Sequence, residues 1–312
     1  MKRAEMLDAT ESILKRAGFQ VSKRCVSRPS CFDVTVRKGE QLAFVKAFTN
    51  VGNITTKDAF ELKTISNFFS AAPLFISSKM RGKPIEDDTV YERYDIYTIT
   101  LKTLEDIAFH STHPLVEAGP GGYYVSLDGD AIRETRQKLG LSIGKLAEMM
   151  GISRRTLYGY EKGMTKASVS VAYNLEWILG TPLVKPVNVF KRDIQSKGFF
   201  AIARRIVTES RFLQAVLRKF AQINFKATPT IKAPFDFVAQ FSEGKLTVLG
   251  GVISQKERNV EQRTEEIVSV SKVTNAQPVL ITAGEQISKE VPFIRLEDFV
   301  KMKHPWEFIE QF

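Results

Sequence analysis

The 312-residue chain has two cysteines, Cys25 and Cys31, and three histidines, His110, His113 and His304. Two cysteines cannot staple a chain of this size, and the histidines needed for a zinc site are missing near them. No apolar run reaches membrane-spanning length. Met1–Phe19 reads as an amphipathic helix with acidic residues interspersed, where a secretory signal would be uninterruptedly apolar. A cytoplasmic protein without a membrane segment is expected. What is present is ordinary globular material: 43% hydrophobic and 26% charged residues, enough for real cores and too mixed in sign for wholesale disorder. The length implies roughly two or three domains. The net charge of +10 fits a polyanionic partner without demanding one. Its placement says more. Between Lys185 and Lys232, Lys191, Arg192, Lys197, Arg204, Arg205, Arg211, Arg218, Lys219 and Lys226 are opposed only by Asp193 and Glu209. This run is either a solvated helical face or a surface that touches a nucleic-acid backbone.

Self-similarity organises the rest. A helix ending at Phe19 leads to Cys31-Phe32-Asp33-Val34-Thr35-Val36, a turn at Lys38-Gly39-Glu40 and the apolar run Leu42-Ala43-Phe44-Val45. The C-terminal part repeats this order, with Arg211–Ile223 as helix, Pro234-Phe235-Asp236-Phe237-Val238, a turn at Ser242-Glu243-Gly244-Lys245, and Leu246-Thr247-Val248-Leu249. Both read as β-hairpins. A helix over Lys57–Ser70 then precedes Ala72–Ile76, and one over Glu261–Val273 precedes Gln277–Ile281. Each half closes on Leu-Glu-Asp and then His-Pro, as Leu104–Asp106 with His113-Pro114, and Leu296–Asp298 with His304-Pro305. The shared order predicts two similar α/β domains, at residues 1–118 and 190–312, flanking a middle domain at 124–182.

In the middle domain, Asp130–Gly140 reads as a helix with Ile132 and Leu139 inward and Gly140 as its stop. Ser142 caps a second helix whose buried stripe is Leu146, Ala147, Met149 and Met150, and Gly151 turns the chain. Ser153 caps a third. Leu157 and Tyr160 fall on its inner face, which leaves Arg154, Arg155, Thr156 and Tyr158 outward. A helix offering its N-terminal turn to the major groove can present arginine to guanine edges or to phosphates.

The stretch Leu139–Gly163 resembles the lambda-repressor and Cro type of helix-turn-helix. The resemblance runs through Ala167–Leu179 and implies an all-α, five-helix DNA-binding domain with Ser153–Lys162 as recognition helix. It implies DNA contacts from Ser142, Ser153, Arg154, Arg155, Thr156, Tyr158 and Lys162. Thr165 and Lys166 join them from a phosphate-touching loop, Gly163–Lys166. It further pairs Arg136 of the first helix with Glu161 at the end of the recognition helix. Two residues depart from the pattern. Ile143 stands where the family usually has a phosphate-contacting glutamine. Gly159 takes a later groove-facing position and costs roughly 1 kcal/mol of helix propensity against alanine. Apolar spacing alone also fits a helical bundle that merely joins or dimerises the repeats.

Phe32-Asp33 followed by Phe44-Val45-Lys46 resembles the core of the PD-(D/E)xK nuclease fold, in which an aspartate opens one strand and an acid-x-lysine triplet ends the next. That chemistry needs two carboxylates on a divalent metal and a lysine to steady developing charge. Phe44 replaces the second acid here. In the C-terminal copy the lysine position falls near Gly250, which leaves Asp236 without either partner. Asp33, Lys46 and Asp236 are therefore expected to be remnants that hold no metal, the aspartates bonded to hairpin backbone and Lys46 solvated or facing phosphate. Glu61, on a helix, is the one acid that could restore an active first copy. The His-Pro pairs are expected to cap or pack. Gly119-Pro120-Gly121-Gly122 lacks the lysine and hydroxyl of a nucleotide loop and reads as a linker.

A central helix-turn-helix between nuclease-like halves is similar to an archaeal group of regulators known chiefly through that motif. The resemblance implies a non-enzymatic, sequence-specific DNA-binding transcriptional regulator without a cofactor. Its expected partners are double-stranded DNA and a second copy of itself across a pseudo-palindrome, with an effector or protein partner left open. A nuclease targeted by the same helix-turn-helix, and a scaffold whose flanks bind a ligand or protein, are the alternatives.

Overall fold

A computed structural model describes residues 2–191, 210–241, 246–253, 259–282 and 291–312. Arg192, Lys197, Arg204 and Arg205 of the basic run, with Asp193 and Glu209, and the expected turn Ser242–Lys245, lie outside the described residues.

The chain opens with helix α1, Arg3–Arg16, which buries Met6, Leu7, Thr10, Ile13 and Leu14 at helical spacing. Strand β1, Gln20–Val21, pairs antiparallel with β2, Val34–Lys38, and β2 pairs with β3, Gln41–Phe48. Gly39 turns that hairpin at a φ of +57°. Helix α2, Thr56–Phe68, capped by Thr55, then crosses to β4, Ala72–Ser77, which lies beside β3.

The middle of the chain adds a short hairpin, β5 (Lys79–Met80) with β6 (Lys83–Pro84), and a longer one, β7 (Thr89–Arg93) with β8 (Ile96–Ile99). After α3, Leu101–His110, strand β9 (Val116–Gly119) runs parallel to β7 and turns back into β10 (Gly122–Leu127). The glycine-rich stretch expected to be a linker is thus a tight hairpin turn, with Gly119 paired to Gly122 and Tyr124 donating its hydroxyl proton to the Pro120 carbonyl at 2.9 Å. Helices α4 (Gly129–Lys138), α5 (Ile143–Met149), α6 (Arg154–Glu161) and α7 (Val169–Leu179) follow. Strand β11, Ala167–Ser168, pairs with β10 between α6 and α7, and β12, Val184–Lys185, pairs with β10 after α7.

The C-terminal copy begins with α8, Arg211–Gln222, then β13 (Phe225–Pro229), β14 (Phe237–Phe241) and β15 (Leu246–Ile253) in an antiparallel meander. Helix α9, Val260–Thr274, crosses over to β16, Gln277–Thr282, parallel to β15, and β17 (Phe293–Arg295) extends the sheet. Helices α10 (Leu296–Lys301) and α11 (Pro305–Ile309) close the chain, and His304 heads α11. His113 has no such place. It follows α3 in an irregular stretch, so the two His-Pro pairs are not structurally alike.

The order helix, hairpin, helix, strand therefore recurs at both ends of an α/β chain. The C-terminal core is aromatic: Phe220 packs its ring on Phe225, Phe237, Phe299 and Phe308 at centroid distances of 4.8 to 5.4 Å. Two compact units result, one joining residues 1–48 and 53–75 with 190–312, the other joining 49–52 with 76–189. These units cut the chain differently from a three-way division at 118 and 190. Residues 76–118, read as the end of the first copy, group with the helix-turn-helix because β7, β9 and β10 are neighbours in one sheet.

Candidate nucleic-acid interface

Each helix of the putative reading unit starts on a side chain that accepts an amide proton, so the local ends are settled before packing begins. Asp128 accepts from Ala131 N at 3.2 Å, Ser142 from Lys145 N at 3.1 Å, Ser153 from Thr156 N at 3.0 Å and Ser168 from Val171 N at 3.4 Å. The amide proton of Ala131 and then the Lys185 ammonium hold the Asp128 carboxyl below its usual range, against a small cost of burial. Ser142 and Ser153, expected at DNA, are thus occupied as acceptors; Ser153 Oγ also lies 2.8 Å from Thr156 Oγ1. Ile132, Leu146, Ala147, Leu157, Tyr160, Leu175 and Leu179 close a core over Val125 and Leu127 of β10.

Two residues expected inside are outside. Leu139 sits one residue beyond α4 and is exposed, with Leu141 packed in its place, and Met149 faces solvent while Met150 and Ile152 touch the core. Helix ends a residue earlier than the apolar pattern suggests rotate the last side chains out. The resemblance implies five helices and an all-α unit. Four helices occupy Asp128 to Gly180, and β10, β11 and β12 stand around them.

Helix α6 presents Arg154, Arg155 and Tyr158 to solvent, with Thr156 half-buried. The Lys162 ammonium lies 5.8 Å from the Tyr158 ring centre. Glu161, the one carboxylate on this helix, is turned inward to Arg136, whose Nε donates to Oε1 at 2.6 Å and whose second guanidinium arm donates to Oε2 at 3.3 Å. Arg136 also donates to the Leu141 carbonyl at 2.8 Å, and the two side chains are only 11% and 6% exposed. Arg154 lies across α5: a Cβ on Gly144 would stand 2.8 Å from its Nε. Gly159 is not a gap in the groove-facing surface. It is buried beneath the following loop, where Met164 N donates to its carbonyl at 2.8 Å and a Cβ would meet Thr165 Oγ1 at 3.0 Å. Lys166 is partly spent, because Glu117 of β9 accepts from its ammonium while accepting also from Ser126 Oγ. Glu117 was not anticipated. The alternation of β9 and β10, hidden by the glycines, was the signal that carried it.

The nuclease-like residues lie in the other unit. Asp33 Oδ2 accepts from Ala47 N at 2.9 Å and Oδ1 from Arg3 at 2.5 Å, with the Lys46 ammonium 3.8 Å away. Asp236 mirrors it: Val252 N donates to Oδ2 at 2.5 Å, Arg28 donates to Oδ1 at 2.6 Å, and Arg263 donates to Oδ2. Phe44 is fully buried against Phe32 and Phe69, and the ring of Phe237 fills the space a side chain on Gly250 would need, 1.8 Å from its Cβ position. Lys46 is 13% exposed and donates to the Ser30 carbonyl, so it is neither solvated nor free.

Glu61 does not turn toward Asp33. It accepts from the backbone amides of Ile231 and Lys232, both at 2.6 Å, in the loop ahead of Asp236. Glu266 of α9 reciprocates by accepting from Val26 N at 3.0 Å and Ser27 N at 2.8 Å in the loop ahead of Asp33. Each copy thus holds the other by one buried helix carboxylate. Burial raises the Glu61 carboxyl above its usual range although the two amides pull it down. Asp58 beside it goes the other way. Burial would raise it, but hydrogen bonds from Lys232 and Thr55 outweigh that and lower it. Among the described residues no cluster of three histidine, cysteine, aspartate or glutamate side chains is arranged to hold a metal, and no helix is long and apolar enough to cross a membrane.

Fold and site together define a helix-turn-helix protein built on a PD-(D/E)XK-like α/β frame. Matches to known families agree: a PD-(D/E)XK superfamily domain fits residues 3–114 and a helix-turn-helix fits residues 132–185. A protein of Thermococcus kodakarensis named "Putative HTH-type transcriptional regulatory protein" is 31% identical over 99% of this chain and 95% of its own length. Proteins of the same name from Methanosarcina barkeri and Methanococcoides burtonii are 33% and 34% identical, over 93% and 89% of this chain and 90% and 86% of their own. The chain belongs to this archaeal family of HTH-type regulatory proteins. No solved structure matches it.

Proposed function

We propose that the chain is a sequence-specific DNA-binding transcriptional regulator, with α6 entering the major groove. The observation that carries this reading is the charge arrangement of α6. Its only acid, Glu161, is neutralised from inside by Arg136, and among the described residues no ion pair engages Arg154 or Arg155. A basic, acid-free outer face at a capped helix start suits base edges and phosphates. Ser142, Thr165 and Lys166 then serve as backbone contacts, with Glu117 aiming one of the lysine's three donors.

The reading extends to a dimer. Val169, Tyr173 and Trp177 of α7 recur at intervals of four and are 44%, 66% and 79% exposed, one apolar stripe suited to a second copy of the same helix. Two copies would read a pseudo-palindrome. We take the flanks as non-catalytic, since both aspartates are committed to cations and amides and Glu61 to the opposite copy. The segments 1–118, 124–182 and 190–312 are proposed as the inherited parts, and the cytoplasm as the place of action. Selection of bound duplex from a random pool tests the whole reading. Enrichment of an inverted repeat is expected; a pool that stays random after several rounds rejects it.

A further inference from the structure

The unit that joins the two copies encloses a cavity of about 360 Å³ between α1, the loop from Arg24 to Ser30, and the loop at Lys232. Its walls carry five cations, Arg3, Arg24, Arg28, Lys46 and Lys232, against two carboxylates, Asp33 and Asp58. The local compensation is incomplete. Asp33 is divided between Arg3 and Lys46, and Asp236, behind the wall, between Arg28 and Arg263. A concave site with a surplus of one sign raises the potential inside it and concentrates anions. Guanidinium groups at three points of the wall offer the planar, multiple N–H donors that match phosphate oxygens. The remaining wall is apolar, from Leu7, Pro29 and Val26, and Val26 is 62% exposed. The volume lies at the lower end of the roughly 300–1,000 Å³ of small-molecule pockets.

We infer that this cavity, at the position of the lost nuclease centre, binds a small phosphorylated metabolite, the phosphate on the arginines and lysines and the organic part against Leu7, Pro29 and Val26. A metal-dependent nuclease gathers acids here to hold a cation. This chain has replaced the second acid by Phe44 and placed arginines on the acids that remain, which inverts the sign of what the site can hold. Contributions from both copies explain why the site exists only once they are clasped: Lys232 comes from the second copy and the other four cations from the first. The inference stands whether or not α6 reads an operator.

Titration calorimetry of the full chain without DNA, at constant ionic strength, tests it with four probes: AMP, ATP, inorganic phosphate and adenosine. AMP or ATP binding that falls at least tenfold in Arg3→Gln and Arg24→Gln, and is unchanged in the distant Lys102→Gln, is expected, with no heat from adenosine. AMP binding more tightly than inorganic phosphate places the organic part on the apolar wall; equal affinities support an inorganic source of the same anion. The two arginines are 50% and 36% exposed, so their variants are expected to keep the wild-type circular dichroism and melting curve. No heat from any phosphate probe overturns the inference, as does binding indifferent to both arginine substitutions. So does displacement of AMP by a short random duplex in an Arg154→Ala/Arg155→Ala background, because the cavity would then be a nucleic-acid backbone contact.

Discussion

Arg136 and Glu161 are held by two hydrogen bonds to each other and one to a backbone carbonyl, in a place water hardly reaches. Removing one partner leaves the other buried and uncompensated, so Arg136→Ala and Glu161→Ala should each cost about 3 kcal/mol in urea unfolding. The double variant should cost less than the two together. Singles within 0.5 kcal/mol of wild type, on the order of experimental additivity error, would show that the pair holds nothing. The outward arginines should behave as readers. Arg154→Ala or Arg155→Ala is expected to lose about 1–3 kcal/mol on the selected operator and to relax preference at one base pair. Glu117→Gln should do the opposite for duplexes in general, tightening binding and steepening the salt dependence, because it releases a lysine charge onto phosphate. A salt series on operator and scrambled DNA separates the two kinds of residue, and an unchanged slope in Glu117→Gln would remove Lys166 from the interface.

Element by element, the unit is positioned by its ends and by contact across helices. Gly144 lets Arg154 lie over α5. Alanine there gains up to about 1 kcal/mol of helix propensity, while its methyl displaces a flexible guanidinium. Gly144→Ala is therefore expected to melt no lower than wild type and yet to bind the operator more weakly. Weaker binding with a lower melting temperature would mean that backbone, and not Arg154, had moved. Strand β10 is the other device. It pairs with β9, β11 and β12, so the helix-turn-helix is stitched into a sheet instead of hanging on a flexible glycine linker.

On the scale of the whole molecule, the two copies are joined by Glu61 and Glu266, each accepting amides of the opposite loop. Glu61→Ala strands two amide donors and should destabilise by about 2 kcal/mol or more, since each buried unsatisfied group costs about 1–3 kcal/mol. Glu61→Gln keeps an acceptor oxygen. Because burial raises the folded pKa of Glu61 above its unfolded value, ionising it favours the unfolded chain, and its contribution is full below the unfolded pKa and lost as pH rises through the folded one. The stability of Glu61→Gln relative to wild type should consequently rise between acid and neutral pH. A flat difference would place the carboxylate in solvent. Metal chemistry should be absent from the same unit. With one free-standing acid fewer than a hard dication needs, magnesium or manganese is expected to support no cutting of duplex, junction or single-stranded DNA. Metal-dependent cleavage abolished by Asp33→Ala would restore the nuclease.

The repeat, the hairpins at Asp33 and Asp236, the capped starts at Ser142 and Ser153 and the outward arginines were legible in the chain, because periodicity and capping are local and act within a few residues. Lys46 and Phe44 could be read as a broken triplet for the same reason. What the sequence could not determine were the meetings of distant segments. Glu61 reaches the amides 170 and 171 residues away, Lys166 finds Glu117 49 residues before it, and Gly159 is covered by a loop that folds back on it. Leu139 and Met149 turned outward because a helix that ends one residue sooner rotates its last side chains away from the core. Residue types and spacing determined which helices and strands form and which face each offers. Only the packing of the two copies and the sheet around β10 decided which charges meet, since a charge's partner is set by distance in space and not by distance along the chain.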